Sequence, residues 1–362
     1  MEHKKTQRLQ SLDTLRGLDM AILVGIAGLI EALAAATDWP WLDAIESQFH
    51  HVSWEGFRFY DLIFPLFMFV SGVAIPYAIH SKLEKGVPSK VLFKKIFIRL
   101  VVLVLFGIIY NKTLRDGFSD ARYASVLGQI GFGYFFAALI FLYTKQIKRT
   151  FYWLVGIMTG VTIMHLFVPV PGFGAGTFEK GTNINTWIDK IILGGFDPEG
   201  ILCMVSAIAI TLMGALAGYL IRSMDVAQAK KALYLFISGL VLIVAALLVS
   251  PYYPIIKKMW TVTFIMLTGG ISAILLSIFY FIIDVKGYKN WTLFFRVFGM
   301  NSITIYMGNK IIGFKGSSNF FLGLTRVYIS EEWGAVFIAA GVLALQWALL
   351  YFLYKQKIFL RV

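Results

Sequence analysis

The sequence predicts an all-α polytopic membrane protein, a helix bundle of about ten transmembrane helices forming one domain over residues 1–362 with both termini cytoplasmic. Three observations predict it. Hydrophobic residues make up 58% of the chain and charged residues only 15%, against about 25% charged in soluble domains. The apolar residues come in long blocks: 62–79 and 232–256 carry no charge at all, and about twenty such residues cross the hydrocarbon layer as a helix. The basic residues behind the net charge of +13 gather in short connections between the blocks, the pattern that sets orientation in a membrane.

Ten spans follow in order: 15–36, 57–80, 93–110, 124–143, 151–169, 200–221, 232–250, 259–283, 293–313 and 333–354. The first has a basic leader, an apolar stretch and "ALAAAT" after it, which imitates a signal peptide. Asp13, Arg16, Asp19 and Glu31 interrupt that pattern, so it is kept as a span. Most of the 33 Lys and Arg residues fall in the even-numbered connections and at the termini, which places both termini inside. The 37–56 and 169–200 connections then face outward. The second is long and rich in Gly, Pro and Asn, as functional loops are. No Lys/Arg cluster interleaves with aromatics outside the spans, so nucleic acid is set aside as a partner. One cysteine, Cys203, allows no intrachain disulfide, and the five histidines show no metal-ligand spacing.

Ionisable groups inside apolar runs are functional candidates. Asp13 and Arg16 share a helix face. Asp61 opens the second span, and Pro65 four residues later removes the N–H that would bond the Asp61 carbonyl, so a kink is expected there. His50 and His51 precede it; histidine titrates near neutral pH and is the usual general base. In "GMNSITIYMGNK", Asn301, Thr304 and Gly308 fall on one helical face. Gly214 and Gly218 form a GxxxG pair suited to helix packing.

Seven segments carry a resemblance. They are "SLDTLRG", "HVSWEGFRFYDLIFPLFMFVSG", "ARYASVLGQIG", "FDPEGIL", "KKMWTVTFIMLTGG", "IDVKG" and "VFGMNSITIY", in that order. Together they resemble the heparan-alpha-glucosaminide N-acetyltransferase family, in its bacterial transmembrane branch. The resemblance implies an integral enzyme, in a bacterial inner membrane, that takes acetyl-CoA from the cytoplasm and acetylates a glucosamine-type amine on the other side. It implies a homodimer and surrounding membrane lipid, with no metal. It carries a catalytic role to His51, with Asp61 and Asn301 beside it. Arg99 and Arg16 are the candidates for the CoA phosphates and Arg122 for the acceptor. Two departures stand out: no asparagine lies late in span 1, and Gln129 replaces the arginine of a V-L-Q-R-like stretch. The competing reading is a sugar or amino-sugar transporter without chemistry.

Overall fold

The computed structural model describes residues 9–111, 124–144 and 146–360. Helices dominate, and among the described residues only isolated bridges, Glu55 with Ile256 and Val170 with Gly174, have extended pairing. Among the described residues eight helices are long and apolar enough to cross a membrane, which makes this an all-α polytopic membrane protein. Backbone contacts separate two compact units. Unit 1 holds the chain through His51 and from Leu275 onward; unit 2 is Val52–Ile274.

Unit 2 begins with α3 (Ile63–Glu84), led in by a 3-10 turn, Phe59–Leu62. It continues with α4 (Ser89–Tyr110), α5 (Val126–Thr144) and α6 (Ile147–Phe167). After these come the short α7 (Ile184–Leu193), α8 (Ile201–Arg222), α9 (Gln228–Val249) and α10 (Val262–Val285). The centre is α8 against α3 and α5. Their backbones nearly touch: a Cβ on Gly72 would stand 2.1 Å from the Thr211 carbonyl oxygen, and one on Gly214 2.0 Å from that of Phe69. Gly218 faces Val73 in the same way. Lipid tails supply no hydrophobic drive between helices, so such van der Waals contact is what associates them.

The expected kink at Pro65 is replaced by a helix start. With α3 beginning at Ile63, Pro65 lies in the first turn, where backbone N–H groups have no intrahelical acceptor anyway. The expected third span is the helix α4. It carries Lys90, Lys94, Lys95 and Arg99 in its first half and is not among the eight apolar spans.

Unit 1 contains α1 (Gln10–Ala35) and α2 (Pro40–Ser47), then the end of α10 and the run from α11 to α15. These are α11 (Leu293–Met300), α12 (Ser302–Ile311), α13 (Phe314–Leu322), α14 (Thr325–Tyr328) and α15 (Glu331–Lys355). α1 and α11 cross through glycine: a Cβ on Gly17 would lie 1.7 Å from the Phe295 carbonyl oxygen. α1 contains a π-helical stretch, Ile22–Ile26. A π-turn disturbs the regular hydrogen-bond ladder, and the Val24 carbonyl there accepts the Gln346 side-chain amide at 2.9 Å. The expected span 293–313 is broken. Asn301 takes φ −127°, ψ 35° and divides α11 from α12, so Asn301 and Thr304 do not continue one helix.

Gly214→Ala is expected to cost about 1–3 kcal/mol, the usual range for overpacking a filled contact. Gly156→Ala on α6, whose Cβ would meet nothing within 4 Å, is expected to leave stability unchanged. Thermal unfolding of the two variants in detergent checks the contrast.

Candidate functional site

Most buried polar chemistry of unit 2 lies at one end, where α6 and α9 finish and α3, α5, α8 and α10 begin. There the segment before α3 meets the connection 250–261. Gly56 N–H donates to the Ile255 carbonyl at 2.9 Å, and Lys258 Nζ to the Ser53 carbonyl at 2.8 Å. Trp54 Nε1 donates to the Phe178 carbonyl at 2.8 Å, which ties in the 169–200 loop. The Trp54 ring lies 6.1 Å from that of Phe196.

Asp61 is completely buried at this junction. Its Oδ2 accepts the Arg58 backbone N–H at 3.0 Å, and Oδ1 pairs with Lys257 Nζ at 3.2 Å. Burial pushes the Lys257 ammonium below the ordinary lysine range, and Asp61 pulls it partly back. The connection then turns sharply. Lys257–Met259 form a 3-10 turn and Trp260 adopts φ 51°, a left-handed conformation that costs a bulky residue about 1–3 kcal/mol. Packing holds it there: Trp260 is buried between Phe64 and Phe264, at 5.3 and 5.7 Å, both edge-on. Thr261 caps α10, its Oγ1 accepting the Phe264 N–H at 3.4 Å. It also accepts the Ile256 N–H at 3.1 Å.

A second buried network fastens the long loop to the same turn. Asn185 Oδ1 accepts from His165 Nε2 at 2.8 Å, and Asn185 Nδ2 donates to the Met259 carbonyl at 3.2 Å. With Nε2 donating, His165 Nδ1 is the acceptor for the Tyr253 hydroxyl at 2.5 Å, which itself accepts the Val262 N–H at 3.3 Å. These partners assign a neutral histidine in one tautomer. Asp189, also buried, accepts the N–H groups of Asp197 and Ile201 at 3.3 and 3.0 Å, and burial raises its carboxyl above the usual range. Nearby, Gln129 Nε2 donates to the Cys203 carbonyl at 3.0 Å. Gln129 Oε1 and Ser206 Oγ are buried without a hydrogen-bond partner among the described residues. Unpaired polar atoms at such depth cost free energy and mark where a polar ligand can be received.

The other expected residues have surroundings of their own within each unit. His51 is exposed and closes unit 1; its neighbour His50 pairs with Glu46. Arg16 reaches Asp13 at 3.8 Å within α1. Asn301 Nδ2 donates to the Ile358 carbonyl at 3.2 Å, while its buried Oδ1 and the Thr304 hydroxyl have no partner among the described residues. Arg99 sits midway along α4, its guanidinium 3.8 Å over the Tyr134 ring, rather than near the helix start. Arg122 lies outside the described residues. Lys257, His165, Asn185 and Tyr253 were not expected. The "KKMW" stretch signalled Lys257 weakly, as two charges beside an apolar run, but spacing does not reveal its partner.

A bundle of long apolar helices with charged and amide groups packed at one end defines a polytopic integral membrane protein with a buried polar site. The chain belongs to the family described as a domain of unknown function (DUF5009), whose model matches residues 8–194. It is similar to human (Homo sapiens) heparan-alpha-glucosaminide N-acetyltransferase, 27% identical over 421 aligned residues covering 98% of this chain. The mouse (Mus musculus) enzyme is 27% identical over 417 aligned residues, again 98% of this chain. The chain spans about 60% of the length of these relatives. The resemblance read from the seven segments is thereby borne out.

Removing either member of the Asp61–Lys257 pair strands the other charge, an expected loss of about 3–5 kcal/mol. The double variant Asp61→Asn/Lys257→Met is expected to recover part of it, as a double-mutant cycle of thermal unfolding would read. The depressed Lys257 pKa means the folded state binds its proton less tightly than the unfolded chain. Its contribution therefore falls as pH drops through the interval below the ordinary lysine value, and Lys257→Met should remove that slope.

Proposed function

We propose that the chain is a transmembrane acetyltransferase, a single domain over 1–362 that moves the acetyl group of cytoplasmic acetyl-CoA to the amine of a glucosamine-type sugar on the outer side of a bacterial inner membrane. The observation that carries this is the alignment of 98% of the chain with two N-acetyltransferases. The distribution of charge supports it. Lys90, Lys94, Lys148, Arg149, Lys230 and Lys231 gather at the starts of α4, α6 and α9, the cytoplasmic end under the positive-inside rule. The buried Asp61 end of unit 2 is then the outer one.

In this reading the amine attacks the thioester carbonyl. A C–N bond forms, the C–S bond breaks, and coenzyme A leaves as the thiolate, which becomes the thiol on taking up the proton shed by the amine. His51 takes the proton the amine sheds. Direct transfer and passage through an acetyl-histidine both use this imidazole. Asp61, oriented by Arg58 N–H and Lys257, fixes the segment that follows His51. Asn301 Nδ2 donates one N–H to the Ile358 carbonyl, and its second N–H would meet the developing oxyanion. Arg99 and Arg16 hold phosphates of the donor, and Arg122 the acceptor. A homodimer embedded in lipid is the working assembly.

Purified protein given radiolabelled acetyl-CoA and glucosamine is expected to form the N-acetyl sugar. His51→Ala should fold normally and lose at least about 100-fold in rate, the usual contribution of a general base; normal turnover by this variant would remove His51 from the mechanism. The second reading, a transporter, draws on the helix broken at Asn301, since discontinuous helices form substrate sites in transporters. Glucosamine uptake into proteoliposomes with no acetyl-CoA consumed would favour it.

A further inference from the structure

A cavity of about 1060 Å³ lies between α6 and α9, with α8 and the first half of α10 as its floor. Its origin is visible in the packing. α6 buries the stripe Thr150, Leu154, Val161 and His165 and packs on α8. α9 leans instead on α10, where Gly239 lies so near Gly270 that an added Cβ would stand 2.6 Å from its carbonyl oxygen. The two outer helices therefore rest on different supports and leave a furrow between them. Phe151, Val155 and Met158 form one wall and Ile237 and Val241 the other. Phe151, Val155, Ile237 and Val241 are also largely exposed, so the furrow opens sideways, toward lipid.

Its length and charge identify the occupant. The lining on α6 runs from Ile147 to Met158, about 17 Å at 1.5 Å per residue. That is near half of the roughly 30 Å hydrocarbon layer, the depth of one leaflet. The furrow starts at the basic end of unit 2. Lys148 is the one charged residue in its described lining, and Arg149 and Lys230 begin the same two helices. Lys148, Arg149 and Lys230 have no acidic partner among the described residues. An apolar protein face seated there would cover Lys148 without neutralising it, which is costly. A phosphate headgroup neutralises it while the acyl chains fill the apolar part.

We propose that this furrow is a binding site for one anionic phospholipid of the leaflet at the basic end, with its phosphate on Lys148 and its chains between α6 and α9. The site is independent of the acetyl-transfer reading. Native mass spectrometry of the full chain in mild detergent, with phosphatidylglycerol or phosphatidylcholine added, tests it. The wild type should retain a single phosphatidylglycerol about fivefold better than phosphatidylcholine, the factor one juxtamembrane lysine supplies. Lys148→Glu, at an exposed position, should erase that preference. Ser238→Trp should fill the furrow and displace both lipids, its thermal unfolding being recorded alongside. Equal retention of the two lipids by the wild type, or undiminished retention by both variants, overturns the proposal. So does a dimer mass that Ser238→Trp abolishes, because the furrow would then seat a second copy.

Discussion

The polar end of unit 2 depends on one ion pair buried where the chain enters its second long helix. Asp61 leaves water entirely and Lys257 for the most part, and their mutual attraction repays that only when the remaining hydrogen-bonding capacity is also used. The Arg58 backbone supplies part of it. The pair joins the start of α3 to the turn before α10, two segments far apart in sequence. Between them the isolated bridge at Glu55 and Ile256 and the strained, fully enclosed Trp260 fall into place. The strain at Trp260 persists because aromatic packing on either side leaves that ring no other site.

A second constraint acts at membrane depth. The central helices of unit 2 meet through glycine, with carbonyl oxygens of Phe69 and Thr211 occupying the space a side chain would need. Unit 1 uses the same device where Gly17 and Gly299 bring α1 and α11 together. Such contact leaves little room for side chains between backbones, so polar groups collect at helix breaks and ends. Asn301 at the α11–α12 break, Gln346 of α15 bonded to the π-turn of α1, and Asn185 at the end of unit 2 are three instances. Irregular backbone of this kind is tolerated in a membrane where it is enclosed by protein or lines a cavity.

The two ends of unit 2 divide the chemistry. One is basic and exposed, suited to phosphate-bearing partners, whether a nucleotide-containing donor or a lipid headgroup. The other is closed, with carboxylate, amide, imidazole and phenol groups satisfied by one another, by Lys257 and by backbone groups. Burial drives the Tyr253 phenol above its usual range, which keeps it a neutral donor to His165. That network is a clamp on the long loop rather than a catalytic centre, since His165 has both ring nitrogens engaged. Among the described residues of unit 2, Gln129 and Ser206 are two groups left with spare capacity.

Sequence alone was enough for the class and for part of the site. Long uncharged blocks admit only membrane-spanning helices, because unpaired backbone groups are too costly in hydrocarbon. The GxxxG pair at Gly214 and Gly218 announced close packing, and Asp61 was conspicuous as a carboxylate entering an apolar run. What the tertiary structure decided were the partners. That Lys257 answers Asp61, that Pro65 begins a helix instead of bending one, that Asn301 divides a span, and that α6 and α9 splay apart all depend on segments distant in the chain. Periodicity and composition report only a residue's local surroundings, whereas an ion pair, a helix break or a furrow is stabilised by whatever the rest of the fold brings against it.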